Sequence, residues 1–422
     1  PRSVADVLER RRTGTRSTTR LAPPKPGAST RHRTPHADVR CCALLRADAR
    51  TCDHERMELP PAPRHTRLPH VLAVLYAIAI VYVSLEPFTP WLAPPPGTPF
   101  FLFAGWPARW TRYDAALNVL AYAPFGFFLA LFRRGASPLA RVAQSLAIGA
   151  ALSFAMEALQ AYIPPRDSSI FDLVMNSGGA LAGGLLAAWL AGYTPVRKAL
   201  YDLRARAFLP GHLGDVGLAL LALWLVAQMN PGIPLFAATF DTDPMPGFPP
   251  VAPAQDGASL MIQAVTSAFH MLGVGLFLAL LLRRRANAGI AVLLLIVVAL
   301  LLKGAAGAWL LRPTAWQAWV KPGVLIGIAT GALLLPVAIG LPRPVQVAVC
   351  AVALLSSLLA PILVPETLSV RAPVALFDWR YGQLLNYNGL TRSALLAWPL
   401  LAAGWLFALA GRPGWGMSAD AR

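Results

Sequence analysis

The chain has 422 residues, 56% of them hydrophobic and only 14% charged, with a formal net charge of +17. Soluble globular proteins average about a quarter charged residues, so this composition excludes a soluble domain as the main body of the chain. An excess of positive charge points first to nucleic acid, but here it is dispersed along the chain rather than gathered in one patch.

The first 56 residues are rich in Arg, Thr and Pro, with thirteen basic against six acidic side chains, and hold Cys41, Cys42 and Cys52. They show no amphipathic period and no signal-peptide core. The segment reads as a disordered basic arm or as an extension foreign to the native protein. Met57 opens a stretch that looks like an ordinary start before a first span. Beyond the arm only Cys350 remains, inside an apolar run, which argues against a disulfide framework.

Apolar runs then follow at 69–86, 114–132, 142–163, 170–192, 214–230, 258–282, 288–311, 322–341, 344–364 and 394–411. Each is near the roughly 20 residues a helix needs to cross a hydrocarbon core. The expected fold is an all-α, polytopic transmembrane helical bundle of about ten spans. Pro336, Pro342 and Pro344 crowd the turn between the eighth and ninth. A four-helix region at 69–192, a linker at 193–213, a second region of about six spans at 214–411 and a tail at 412–422 make up the expected organisation.

Basic residues mark every second short loop: Arg133, Arg134 and Arg141; Arg197, Lys198, Arg204 and Arg206; Arg283, Arg284 and Arg285. Positive charge retained on one side is the signature of cytoplasmic loops. Both termini, the 193–213 linker and the tail then fall in the cytoplasm. Loops 87–113, 164–169, 231–257, 312–321 and 365–393 face outward, although Arg109, Arg112, Arg312 and Lys321 also lie there.

Against this apolar background three acids stand out. Asp114 is followed by Asn118, Asp172 by Asn176, and Glu157 by Gln160. An ionised group deep in a bilayer costs roughly 2.5–3.5 kcal/mol even on insertion scales, so such residues are candidates for function. The i,i+4 and i,i+3 spacings put each pair on one helix face. The topology brings all three helix ends to the outer face, with Arg166 in the loop between two of them. Plainer roles are open: Asp114 and Asp172 as helix caps, Asn118 and Asn176 as interhelical hydrogen-bond partners. Capping does not explain Glu157, near a helix C-terminus where negative charge is disfavoured. Protonation of Glu157, or an ion pair with Arg166, would remove that conflict. Gly179 and Gly183 form a small-x3-small pattern for close helix packing, and Pro124 and Gly126 should kink their helix.

These motifs, Asp114-x3-Asn118-x3-Tyr122-x-Pro124-x-Gly126, Glu157-x2-Gln160 and Arg166-x5-Asp172-x3-Asn176-x2-Gly179-x3-Gly183, resemble the VanZ-like family of bacterial membrane proteins. The resemblance covers about 110–192 and takes in the first span from 69, making 69–192 a VanZ-like domain. Members more often carry Phe where Tyr122 stands, and compact members have about five spans. What the resemblance implies is a multi-pass protein of the bacterial inner membrane, associated with low-level resistance to the glycopeptide teicoplanin by a mechanism that is not established.

The second half repeats none of these motifs. The segment Phe377–Gly389 interleaves aromatics with Asp378, Arg380 and amides, which suits either an interfacial aromatic belt or a sugar or peptide surface. Asp241, Asp243 and Asp256 lie too sparsely for a calcium loop. His270 reads as a packed residue. No phosphate-binding Gly loop, nucleophile elbow or paired metal ligands occur.

Three functions follow from this reading. The first is an envelope-maintenance or resistance protein that binds a lipid-linked or amphiphilic envelope molecule through the outward carboxylate–amide cluster, with no cofactor and no nucleic acid. The second is an intramembrane enzyme acting on a lipid-linked head group, for which oxygen ligands would favour Mg or Mn. A transporter or structural scaffold is the third. Whether the chain is an enzyme, and its oligomeric state, are left open.

Overall fold

The computed structural model describes residues 66–86, 88–132, 135–164, 166–230, 233–236, 257–310, 320–363 and 383–412. The readings of residues 1–56, of Arg133 and Arg134, of Asp241, Asp243 and Asp256, of Arg312, and of Phe377–Gly382 lie outside them. The described part is helical: α1 (Leu68–Leu85), α2 (Arg112–Ala130), α3 (Pro138–Gln160), α4 (Ile170–Gly192), α5 (Thr194–Ala207), α6 (Gly211–Gln228), α7 (Gly257–Leu281), α8 (Ala288–Leu310), α9 (Pro322–Gly340), α10 (Arg343–Leu363) and α11 (Gln383–Ala410). The one β-type contact among the described residues is an isolated bridge between Phe208 and Leu282.

A helix lies at each of the ten predicted apolar runs. Eight, α1, α3, α4, α6, α7, α8, α9 and α11, are long and apolar enough to cross a membrane. The apolar part of α10 is short, and α2, which carries Arg112, Asp114 and Asn118 in its first two turns, is not among the eight. The expected linker contains a fourteen-residue helix, α5, with no buried residue.

Starts are set by local chemistry. Thr111 and Asp114 form a reciprocal capping box at α2. Ser137 and Ser169 cap α3 and α4 by accepting from Ala140 N (3.2 Å) and Phe171 N (3.0 Å). Proline in the first turn of α1, α3, α5 and α9 removes a donor that has no helical partner there.

The α1–α4 bundle has a core of Ala73 and Ile80 of α1, Tyr122, Phe125 and Leu129 of α2, Met156 of α3 and Ile163 just beyond it. Its tightest contact is α2 against α4. A Cβ on Gly183 would meet Ala123 O and Phe127 N, and one on Gly126 would meet the Ala180 backbone, so these two glycines let the backbones touch. Helix α2 passes through Pro124 in its interior and continues to Ala130. The second half packs around α7: 78% of its apolar stretch is buried, against 17% for α1 and 28% for α8, so α7 is an axis and the others are sheath. Trp224, Trp398 and Trp405 fill the space beside it, the last two against Phe277 of α7. Outward, Leu301, Leu333, Val337 and Phe407 are more than two-thirds exposed, the surface lipid would cover.

Helix α1 joins the two halves at both of its ends. At one, Asp215 of α6 accepts from Thr66 Oγ1 and Arg67 N, each at 2.7 Å. At the other, the Tyr82 hydroxyl and Ser393 Oγ of α11 lie 2.8 Å apart.

Candidate functional site

The polar residues singled out in the sequence occupy one end of the α1–α4 bundle, graded by depth. Asp114 is at the rim, where its carboxylate receives Thr111 N (2.9 Å) and Thr111 Oγ1 (2.8 Å); its bonds are those of the capping box. One turn deeper, Asn118 Nδ2 donates to Asp172 Oδ1 at 2.5 Å, joining α2 to α4. Deeper still, Glu157 is 3% exposed and Asn176 6%. Glu157 Oε2 accepts from Ser169 N at 2.8 Å, so the end of α3 is tied to the cap of α4. Asn176 Nδ2 donates to Ser153 Oγ at 3.0 Å.

Arg166 and Gln160 take a different direction. Arg166 donates from Nη2 to Val83 O (2.6 Å) and Glu86 O (2.9 Å), and from Nε to Glu86 O (3.1 Å). Gln160 Nε2 donates to Ser84 O at 2.8 Å. Together they satisfy carbonyls that the last turn of α1 leaves without helical partners. The Glu157–Arg166 ion pair, one of the two expected ways of accommodating Glu157, does not form. Arg166 is close enough to be felt electrostatically: burial lowers its pKa, while the carboxylates of Glu86 and Glu157 oppose that shift. Glu86, just beyond α1, is pushed the other way, above the ordinary carboxylate range by burial, with Arg166 and then Arg392 pulling it back.

The cluster therefore holds two carboxylates, Glu157 and Asp172, and among the described residues no cation is hydrogen-bonded to either. Among the described residues the buried Asn176 Oδ1 atom has no hydrogen-bond partner, while the Tyr122 hydroxyl has Ser153 beside it as its one side-chain partner. Buried polar atoms in folded proteins are nearly always paired, so Asn176 Oδ1 is an open acceptor in this cluster. Among the described residues no group of three or more His, Cys, Asp or Glu side chains is placed to hold a metal ion.

An aromatic shelf borders the cluster. The α1–α2 connection folds back over it, with Trp106 and Trp110 each 5.3 Å from Phe171 and Phe101 5.6 Å from Phe154. Phe103 is 82% exposed, and Trp106 and Trp110 are about half exposed. Neither this shelf nor Ser153 was anticipated. Ser153 lies four residues before Glu157, on the same helix face, and that spacing was its signal.

In the second half His270 is a packed residue, as expected. Trp224 Nε1, which can only donate, reaches His270 Nε2 at 3.0 Å. That makes Nε2 the acceptor and leaves the ring proton on Nδ1, 3.3 Å from Ser357 Oγ. Lys303, fully buried in α8, is another polar residue the sequence reading missed, as is Asp215 of α6. The Lys303 Nζ donates to Asn230 O (2.8 Å) and Ile233 O (2.6 Å), holding the segment that follows α6.

Helical spans, an exposed apolar exterior and polar groups sequestered inside define a multi-pass membrane protein. The family model described as VanZ/LLP1 matches residues 71–191. That match bears out the resemblance carried by the Asp, Asn, Glu and Gly motifs, including its start in the first span near residue 69. It covers α1–α4, the part of the chain that holds the cluster. No curated protein and no solved structure matches the chain.

Proposed function

We propose that this is a bacterial inner-membrane protein whose VanZ-like region binds the head group of an amphiphilic envelope molecule at the outer leaflet, and so contributes to envelope maintenance and to protection against glycopeptides of the teicoplanin type. One observation carries the reading: a buried carboxylate–amide cluster that pairs with no cation among the described residues and in which Asn176 Oδ1 is unpartnered. Hydroxyl or ammonium groups of a head group complement such acceptors, and the exposed Phe103, Trp106 and Trp110 offer apolar area to its hydrophobic part. The reading places both termini in the cytoplasm and treats α2 and α10 as crossings, because the basic residues then share one side.

A deletion strain complemented with wild type, Glu157→Gln or Asp172→Asn and challenged with glycopeptide and lipid-targeting antibiotics tests it. Wild type restores tolerance and the variants restore several-fold less. Full protection by both variants would contradict the proposal.

A further inference from the structure

We infer that α5 and the α7–α8 turn form one platform that docks on anionic phospholipid at the membrane face opposite the carboxylate–amide cluster. In the sequence these are two unrelated basic loops some eighty residues apart. In the structure they are clasped together. Arg283 Nη1 donates to Ala205 O at 2.6 Å and Arg283 N to Ala207 O at 2.9 Å. Leu209 N donates to Leu281 O at 2.9 Å, and Phe208 bridges to Leu282. The clasp brings Arg283 and Arg284, both exposed, to the end of α5.

Helix α5 itself carries the pattern of an interfacial helix. Val196, Leu200 and Leu203, at i, i+4 and i+7, are 44%, 62% and 60% exposed, an apolar stripe left uncovered by the described residues. At about 100° per residue, Arg197 and Arg206 fall on opposite flanks of that stripe, and Lys198 lies further round. The helix joins two spans, α4 and α6, so it lies at the membrane surface. Its far end is anchored there: Arg204 reaches Leu209 O (2.7 Å) and Asp215 Oδ1 (2.8 Å).

Charge decides the occupant. Acidic side chains on this helix are confined to Asp202, paired with Arg206 at 3.7 Å, and Asp215 is consumed by Arg204. Arg197, Lys198, Arg283 and Arg284 form no ion pair among the described residues. An apolar stripe flanked by cations, lying along a bilayer, matches acyl chains below and anionic head groups beside them.

The test uses the full-length protein in nanodiscs of phosphatidylcholine, with spin-labelled phosphatidylglycerol and spin-labelled phosphatidylcholine as probes. Wild type is expected to bind the phosphatidylglycerol probe about five- to tenfold more strongly, falling as salt is raised. The combined variant Arg197→Gln, Lys198→Gln, Arg206→Gln, Arg284→Gln should lose most of that preference; it spares Arg283 and Arg204, which hold the clasp and the anchor. Leu200→Gln with Leu203→Gln, as a second variant, should shift a spin label placed at Tyr201→Cys out of the bilayer. A wild type without lipid preference, a preference untouched by the charge variant, or a label equally deep in both backgrounds would each overturn the inference. If the surface instead meets an acidic protein, wild type shows no lipid preference and the proposal falls.

Discussion

The carboxylate of Glu157 accepts a hydrogen bond from the backbone amide of Ser169, 2.8 Å away, so the acid near the end of α3 is fixed to the residue that caps α4. This contact lets function be separated from folding. Glu157→Gln keeps an acceptor for the amide, whereas Glu157→Leu leaves a buried donor unpaired, at a cost of about 1–3 kcal/mol. Thermal unfolding of the purified protein should show a clear drop for Glu157→Leu and little for Glu157→Gln. Equal drops would mean that the contact is not holding the two helices.

Packing of α2 on α4 gives a second expectation. A methyl on Gly183 runs into the backbone of Ala123 and Phe127, which cannot rotate away, while Gly178, five residues earlier on another face of the helix, faces open space. Gly183→Ala should destabilise by about 1–3 kcal/mol, the range for overpacking. Gly178→Ala should be neutral or slightly stabilising. Reversal of that order in denaturant or thermal melts would disprove the close approach.

Asp215 binds three groups from two elements: Thr66, the Arg67 amide and Arg204. Removing one partner of a buried ion pair strands the other, typically at about 3–5 kcal/mol. Asp215→Ala should therefore be severe, and Asp215→Leu combined with Arg204→Met should be milder than Asp215→Ala alone. A double variant as damaged as the sum of its singles would show that the two side chains act independently.

Glu86 gives a pH dependence. Its carboxyl is raised from the ordinary 4.5, first by burial, with Arg166 and Arg392 opposing. A raised folded value means that the native protein holds this proton more tightly than the unfolded chain does. The contribution is thus complete below the ordinary value and is lost as pH climbs through the folded one. Melting temperatures between about pH 4 and pH 7 should fall less steeply in Glu86→Gln than in wild type. Parallel curves would rule the group out.

Much of the fold was legible because apolar runs of spanning length leave few options beyond helices. Helix α5 was not, since its fourteen residues mix Arg and Lys with a short apolar stripe and read as a connection. Lys303 escaped notice inside an otherwise apolar run, although the cost that drew attention to the acids applies equally to a buried lysine. In the site, spacing showed which residues share a helix face, and Asn118 does meet Asp172. Spacing could not show that Arg166 and Gln160 turn toward α1. What draws them there is the set of open carbonyls at Val83, Ser84 and Glu86, and which loop reaches a given helix end is decided only by tertiary packing.

The most direct measurement is the set of lipids and lipid-linked molecules that co-purify with the wild-type protein, compared by mass spectrometry with those of Glu157→Gln and Asp172→Asn at matched stability. Binding at the carboxylate–amide cluster predicts an amphiphile enriched with wild type and depleted in both variants. An identical profile across all three folded proteins would contradict it.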